Sequence, residues 1–228
     1  MRGPGYGNSY GKGHGTTRYD LTLDPPPLPA LPDLSLGNRI SQKYAQRFRE
    51  AAARRLENDR LLHALHENLG KAERNRYNLE VLLSLARFIG GHWRLLEAMA
   101  AAERALEQAE AAAARKDPAR AVGHLVSAHN AITAARQENE RVFGELVAVF
   151  EKSRFPKGRS VGGRKFVHVL DDTKDHWADR TPDMGFMMAP ERSIGLDDWA
   201  RTLEKIIRDY AAQHNVPVRG LAAPRLEE

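Results

Sequence analysis

The side chains best suited to chemistry lie close together between residues 168 and 179. This stretch holds two imidazoles and four carboxylates, at His168, Asp171, Asp172, Asp175, His176 and Asp179. Such groups bind divalent metals, and two carboxylates held apart can serve as general acid and base. Their spacing matches no established motif such as His-Glu-x-x-His, and such side chains near a strand end often bond to backbone amides. They form a candidate metal or catalytic cluster, and the alternative is a structural polar loop.

Two basic stretches could bind anions. The glycine-rich loop KGRSVGGRK, residues 157–165, offers four cations and free backbone amides. It lacks the GxxxxGK[ST] order and precedes a predicted strand, so a basic surface turn is the favoured interpretation. The first predicted helix carries ten basic residues from Arg39 to Arg76 against five acidic ones, which could follow a nucleic-acid backbone. The acidic residues interleave at helical spacing, which favours an ordinary solvated face.

Three aromatic rings near the C-terminal end could recognise a sugar. Trp177, Phe186 and Trp199 would stack on sugar rings if they were exposed. The alternative is that these rings pack the irregular C-terminal segment against the helices. We name no catalytic residue, and we predict no bound metal and no cofactor.

Length and composition limit the class of protein. The chain has 228 residues, of which 42% are hydrophobic, so it can build a core. A (β/α)₈ barrel typically needs about 250 residues and a repeated strand and helix pattern, which excludes that fold. Cysteine is absent, no apolar run approaches the length of a membrane span, and the N-terminal residues do not resemble a secretory signal. We expect a soluble chain without membrane contact, and the compartment stays open.

The net charge argues against one class of partner. The formal charge is only +5, from 35 basic and 30 acidic side chains. Proteins that bind nucleic acid are usually more strongly basic, so we do not expect a nucleic-acid partner.

The first 37 residues are predicted to form an extended arm. Its beginning is rich in glycine, and residues 21–38 are rich in proline and leucine, which favours extended or polyproline II geometry. Such a stretch could be a ligand for a proline-recognising domain. We favour a docking strap that lays five leucines on a neighbouring surface: Leu21, Leu23, Leu28, Leu31 and Leu34.

Apolar residues at spacings of three and four predict three long helices after the arm. The first runs from about Asn38 to Gly70, with Leu56 on its apolar face, and the second from about Leu79 to Arg115, with Leu82 and Ile89 in its apolar stripe. Asp117 and Pro118 predict the start of the third helix, as N-cap and first helical residue. Its apolar seam contains three polar residues, which predict a buried hydrogen-bond network or a domain contact: His129, Arg136 and Asn139.

These elements predict a mainly α protein with four segments. Residues 1–37 form the arm, 38–153 a long antiparallel hairpin or three-helix bundle, 154–215 an irregular cap, and 216–228 a frayed tail. The cap contains a short strand at RKFVHVL and a final helix from about Leu196 to His214. Gly90 and Gly91 interrupt the second helix, where they could kink it or allow close approach of another backbone.

Three stretches resemble the helical C-terminal region of bacterial proteins that carry a family 20 glycoside hydrolase domain, which is β-N-acetylhexosaminidase-like. They read TTRYDLTLDPPPLPALPDLS, RNRYNLEVLLSLARF and EKSRFPKGRSVGGRKFVHVLDDTKDHWADRTPDMGFMMAPERSIGLDDW. The resemblance covers nearly everything after about Thr16. It implies a helical region that lies beside a catalytic barrel.

The same resemblance argues against glycosidase activity in this chain itself. Family 20 enzymes are expected to use an adjacent Asp-Glu pair on a (β/α)₈ barrel, with the substrate's acetamido group assisting. No Asp-Glu dipeptide occurs in this sequence. The resemblance therefore transfers no catalytic residue.

We carry three functional hypotheses. The first is a non-catalytic accessory domain that supports a glycosidase barrel, in cis or in trans, or shapes its substrate entrance for a carbohydrate. The alternative is an autonomous helical interaction module that binds a protein or an anionic polymer through the basic first helix. A second alternative is a small metal-dependent hydrolase centred on the cluster of aspartates and histidines.

Overall fold

The chain folds around two long antiparallel helices. The computed structural model describes residues 24–152, 160–161, 164–165 and 195–222. These residues form helices α1 (Ile40–Lys43), α2 (Ala45–Lys71), α3 (Arg76–Ala114) and α4 (Pro118–Glu151), strands β1 (Ser160–Val161) and β2 (Arg164–Lys165), and helix α5 (Leu196–Gln213). The mainly helical fold predicted from the sequence is confirmed.

A tight turn joins α3 to α4 and reverses the chain. Lys116 adopts a left-handed conformation with φ of 59°. The Asp117 side chain accepts a hydrogen bond from the Arg120 backbone amide at 3.1 Å, and Pro118 occupies the first turn of α4. The predicted N-cap and helix start are therefore confirmed. Ion pairs from Arg87 to Glu145 and from Glu80 to Lys152 fix the antiparallel register of the two helices.

Helix α2 packs antiparallel on the first half of α3. The predicted single helix from Asn38 is divided, because Tyr44 has φ of −114° and ψ of 27° and separates α1 from α2. The buried face of α2 consists of Ala51, Asn58 and Leu65, which are spaced seven residues apart. The helix ends at Lys71, one residue after the predicted stop at Gly70.

The proline-rich segment and α5 share one hydrophobic core with the long helices. This core contains Leu34, Leu106, Leu125, Trp199 and Leu203, all of them buried. The described part of the predicted arm, residues 24–36, is therefore packed on the bundle. It is also not extended throughout, because residues 31–34 form a turn that is closed by a hydrogen bond from the Ala30 amide to the Ser35 carbonyl at 2.9 Å.

The C-terminal residues depart from the predicted frayed tail. Val216, Val218 and Leu221 are partly buried against the core. The Asn130 side chain donates to the Gly220 carbonyl at 2.7 Å and accepts from the Ala222 amide at 2.9 Å. Residues 216–222 lie against the bundle because the Asn130 side chain forms hydrogen bonds with two of their backbone groups and because their apolar side chains pack on the core.

The described strands are short. Strands β1 and β2 pair antiparallel, with Ser160 opposite Lys165 and Val161 opposite Arg164. The first two residues of the predicted strand RKFVHVL form β2, and the other five lie outside the described residues. None of the helices described here is long and apolar enough to span a lipid bilayer.

Candidate functional site

Most of the predicted site residues lie outside the part of the chain that the structure describes. These are the whole candidate metal cluster, His168, Asp171, Asp172, Asp175 and His176, the rings of Trp177 and Phe186, and the strap residues Leu21 and Leu23. Within the described ranges, no group of three or more histidine, aspartate or glutamate side chains could hold a metal ion. The cluster and its hydrolase hypothesis stay predictions.

Trp199 is buried in the core and cannot stack on a sugar. Only 3% of its surface is exposed, and its indole Nε1 donates to the Pro26 carbonyl at 2.7 Å. The prediction of a sugar-stacking platform is therefore wrong for this residue. The alternative of packing against the helices holds, because α5 turns the ring inward onto the proline-rich segment.

The leucine strap docks on this chain's own helices. Leu34 is fully buried, and Leu28 and Leu31 pack partly buried against the same core. These three leucines therefore contribute to the core that the proline-rich segment shares with the helices. The sequence predicted that the leucines lie on a neighbouring surface, and for these three that surface belongs to the same molecule.

Acidic side chains of α3 hold the strap in place. The Glu103 carboxylate is 2% exposed and accepts from the Ile40 amide at 2.6 Å and the Ser41 amide at 3.1 Å. One and two turns further along α3, Glu107 and Glu110 pair with Arg39 at 3.0 and 3.3 Å. Glu103 thus caps α1 from another helix, where no local N-cap side chain does so.

The two glycines of α3 allow two asparagines to pack against the helix. Asn58 of α2 donates to the Ala86 carbonyl at 3.0 Å, and a Cβ on Gly90 would lie 2.5 Å from its Nδ2. A Cβ on Gly91 would lie 2.5 Å from Oδ1 of Asn139 on α4. Helix α3 continues through both glycines, so close approach, and not a break in the helix, explains them.

The other polar seam residues are also structural. His129 is 3% exposed, with its Nδ1 3.3 Å from Asn130 Oδ1, and Arg136 pairs with Asp197 at the start of α5. The predicted burial holds for His129 and Asn139, and the network and the contact with another domain stay predictions.

A ladder of ion pairs occupies the groove between α2 and α4. Arg94 reaches Asp59 at 3.3 Å and Glu138 at 4.0 Å, while Arg87 reaches Glu145 at 2.9 Å. The hydrogen bond from Arg141 lowers the pKa of the Glu138 carboxyl, and the same bond raises the pKa of Arg141. The named arginine and carboxylate side chains are therefore engaged with one another.

The imidazole of His92 lies beside an aromatic ring and has a strongly lowered pKa. Burial, assisted by the positive charge of Arg47, lowers the pKa of His92 to about 4. Its Nδ1 is buried without a hydrogen-bond partner among the described residues, and its ring meets Trp93 edge-on at 5.2 Å. A neutral, buried imidazole of this kind stabilises the packing of α3 only at a pH where it is uncharged.

Within the part of the chain that the structure describes, the exposed large hydrophobic side chains lie on α2 and the first half of α3. Leu61 is 51% exposed, Leu82 52% and Ile89 55%. Leu82 and Ile89 are seven residues apart and share one face of α3. Leu61 lies one turn after Asn58 on α2 and Ile89 directly precedes Gly90 on α3, so the contact between Asn58 and Gly90 places Leu61 and Ile89 at similar levels along the two helices.

These three residues and two unpaired cations form what we call the α2–α3 surface. Arg60 and Lys71 of α2 are exposed and form no ion pair among the described residues. In contrast, Arg54 and Arg55 of the same helix pair with Glu57 and Asp59. The prediction of an ordinary solvated face thus holds for part of α2, while one side combines apolar and basic character.

The sequence assigned three of the exposed hydrophobic side chains to the buried face. Leu82 and Ile89 were predicted in the apolar stripe of the second helix and Leu56 in that of the first, but all three are half exposed. Two pairs of adjacent leucines, Leu61-Leu62 and Leu82-Leu83, could have indicated that some apolar side chains are exposed. Adjacent residues lie about 100° apart on a helix, so one leucine of each pair has to lie farther from the core.

Comparison with protein-family models, with curated proteins and with solved structures finds no match.

Proposed function

We propose that this chain is a non-catalytic helical accessory module that docks on a protein partner through the α2–α3 surface. The observation that carries the proposal is the position of the exposed large hydrophobic side chains, which gather on one half of the bundle. Contiguous exposed apolar patches on folded proteins commonly mark interaction sites. The interaction-module hypothesis proposed binding through the basic first helix. Helix α2, which forms most of that helix, keeps this role here, and its exposed apolar side chains contribute to binding together with its basic ones.

The flanking cations favour an acidic protein partner. Arg60 directly precedes Leu61, Lys71 is the last residue of α2, and neither side chain forms an ion pair among the described residues. A partner with an apolar centre and an acidic rim would complement both features. A second copy of this chain would bring like charges together at the rim, which disfavours self-association through this surface.

The glycosidase barrel stays the predicted partner, on the basis of the sequence resemblance alone. If the chain supports such a barrel, its docking element is the α2–α3 surface, because its own core covers Leu28, Leu31 and Leu34. A carbohydrate would then contact the complex at the entrance of the barrel, without a role for the buried Trp199.

Isothermal titration against a separately expressed family 20-type barrel from the same source tests this proposal. We expect binding that a peptide of residues 16–37 does not compete away, because the described leucines of that segment belong to the core. Sedimentation velocity of the chain alone should show a monomer. Absence of heat with a folded barrel, or self-association that Leu61→Gln abolishes, would contradict the proposed partner.

A further inference from the structure

A basic cleft lies where α3 meets α4, at the opposite end of α3 from the α2–α3 surface. Its volume is about 560 Å³, within the range of about 300–1,000 Å³ that small-molecule sites occupy. Arg104, Gln108 and Arg115 line it from α3 and the turn that follows, and Arg120 and His124 line it from α4. Residues four and seven apart lie on one face of a helix, so these side chains converge on the same space.

The acidic side chains at the cleft are already engaged. Glu107 pairs with Arg39 of the strap at 3.0 Å. The Asp117 carboxylate accepts from the Arg120 backbone amide and serves as the cap of α4. Neither carboxylate forms an ion pair with a guanidinium of the cleft among the described residues.

Three guanidinium groups are therefore left without an ion pair in the described part of the chain: those of Arg104, Arg115 and Arg120. Elsewhere on the same two helices, Arg87 and Arg94 of α3 and Arg136 and Arg141 of α4 each have an acidic partner. The contrast matters because like charges held around one cleft repel each other, and a bound anion would relieve that repulsion.

We propose that this cleft binds a ligand that carries two or more phosphate or sulfate groups. Guanidinium groups donate paired hydrogen bonds to such oxyanions. Arg104 lies on α3 and Arg115 directly follows its last residue, eleven positions later or about 16 Å along the helix axis, which is too far for one small oxyanion to contact both. Among the described residues that line the cleft there is no phenylalanine, tyrosine or tryptophan, and His124 contributes an imidazole.

Calorimetric titration of the full chain at low ionic strength tests the proposal with three probes. Tripolyphosphate and a disulfated disaccharide distinguish the two sources of oxyanion, and inorganic phosphate is the comparison with a single phosphate group. We expect one of the first two to bind at least about tenfold more tightly than inorganic phosphate. Raising the salt concentration should weaken that binding.

Variants locate the bound ligand. Arg115→Gln and Arg120→Gln should each weaken binding about tenfold, because each removes a charged hydrogen-bond donor. Both side chains are exposed, so the fold should tolerate the changes. The matched control is Arg74→Gln, since Arg74 is an exposed arginine away from the cleft with no ion pair among the described residues.

Two results would overturn the proposal. One is no binding of either multiply charged probe to the folded chain at low salt. The other is an equal loss of affinity in Arg74→Gln and Arg115→Gln, which would indicate diffuse attraction to a basic protein. The site is independent of the α2–α3 surface, so Leu61→Gln should leave the affinity for tripolyphosphate unchanged.

Discussion

At the scale of single residues, the structure depends on polar groups that fit one position closely. Asn58 and Asn139 approach α3 from two neighbouring helices, and each occupies the space that a side chain on Gly90 or Gly91 would need. A glycine inside a helix normally lowers stability by roughly 0.5–1 kcal/mol relative to alanine. Here the loss is offset by the closeness of the three helices and by the hydrogen bond from Asn58 to the Ala86 carbonyl.

Alanine substitutions at the glycines should therefore have opposite effects at different positions. Gly90→Ala and Gly91→Ala should each lower the free energy of unfolding by about 1–3 kcal/mol, because the new methyl group would clash with an asparagine. Gly123→Ala and Gly144→Ala are matched controls in α4, where nothing lies within 4 Å of the new Cβ. Those two should raise stability by roughly 0.5–1 kcal/mol. Urea denaturation measures all four, and a stabilised Gly90→Ala protein would refute the close contact.

The buried imidazole of His92 should make stability depend on pH. Its pKa is about 4 in the folded chain against 6.5 for a free histidine, so between these values the unfolded chain takes up a proton that the folded chain does not. His92 therefore lowers the free energy of unfolding as the pH falls from 6.5 towards 4, by roughly 2–3 kcal/mol in all. Above pH 6.5 it has no such effect.

The comparison that isolates this effect uses two histidine variants. His92→Leu should have a smaller loss of stability between pH 6.5 and 4 than the wild type, when both are followed by urea denaturation at several pH values. His63→Gln is the control, because the His63 side chain is 78% exposed. Parallel pH profiles for the wild type and His92→Leu would show that the imidazole is solvated.

At the scale of elements, the N-terminal strap is held by tertiary contacts that local sequence cannot specify. Helix α1 has only four residues and no side-chain cap of its own. Its amides at Ile40 and Ser41 instead meet Glu103, more than sixty residues later in the chain. At the other end of the strap, Lys43 and Tyr44 bind Asp24, and the Lys43 ammonium lowers the pKa of that carboxyl.

Removal of the Glu103 carboxylate should loosen the strap. Glu103→Ala leaves two backbone amides without their acceptor and should cost about 2–4 kcal/mol of unfolding free energy. Glu103→Gln keeps one carbonyl acceptor and should cost less. Glu107→Ala removes a 41% exposed partner of Arg39 and should cost about 0–1 kcal/mol. Chemical denaturation measures the series, and equal effects of the Glu103 and Glu107 substitutions would contradict the capping role.

The sequence predicted correctly those elements whose position depends on residues within a few positions of each other. Asp117 and Pro118 marked the start of α4 because capping acts within one turn, and the period of apolar residues gave the long helices. It placed Leu82 in the apolar stripe, whereas Leu83 is the buried leucine of that pair, since the choice depends on where the neighbouring helix lies. The contact of Trp199 with Pro26 spans 173 positions and has no local signal at all.

At the scale of the whole molecule, the bundle separates its features along α3. The polar layer of Gly90 and Gly91 and the α2–α3 surface lie in the first half of that helix, and the strap and the basic cleft lie in the second. The central claim is that the first half contacts a protein partner, while the leucines of the strap serve the core.

The most direct test is calorimetric titration of the family 20-type barrel into surface variants of the chain. Leu61→Gln and Ile89→Gln should each weaken binding by more than about tenfold, as expected for apolar residues at the centre of an interface. Leu56→Gln is the matched control, because Leu56 is 50% exposed but lies about 140° around α2 from Leu61. The account predicts near wild-type affinity for that control. Equal affinity of all three variants and the wild type would contradict the α2–α3 surface as the docking site.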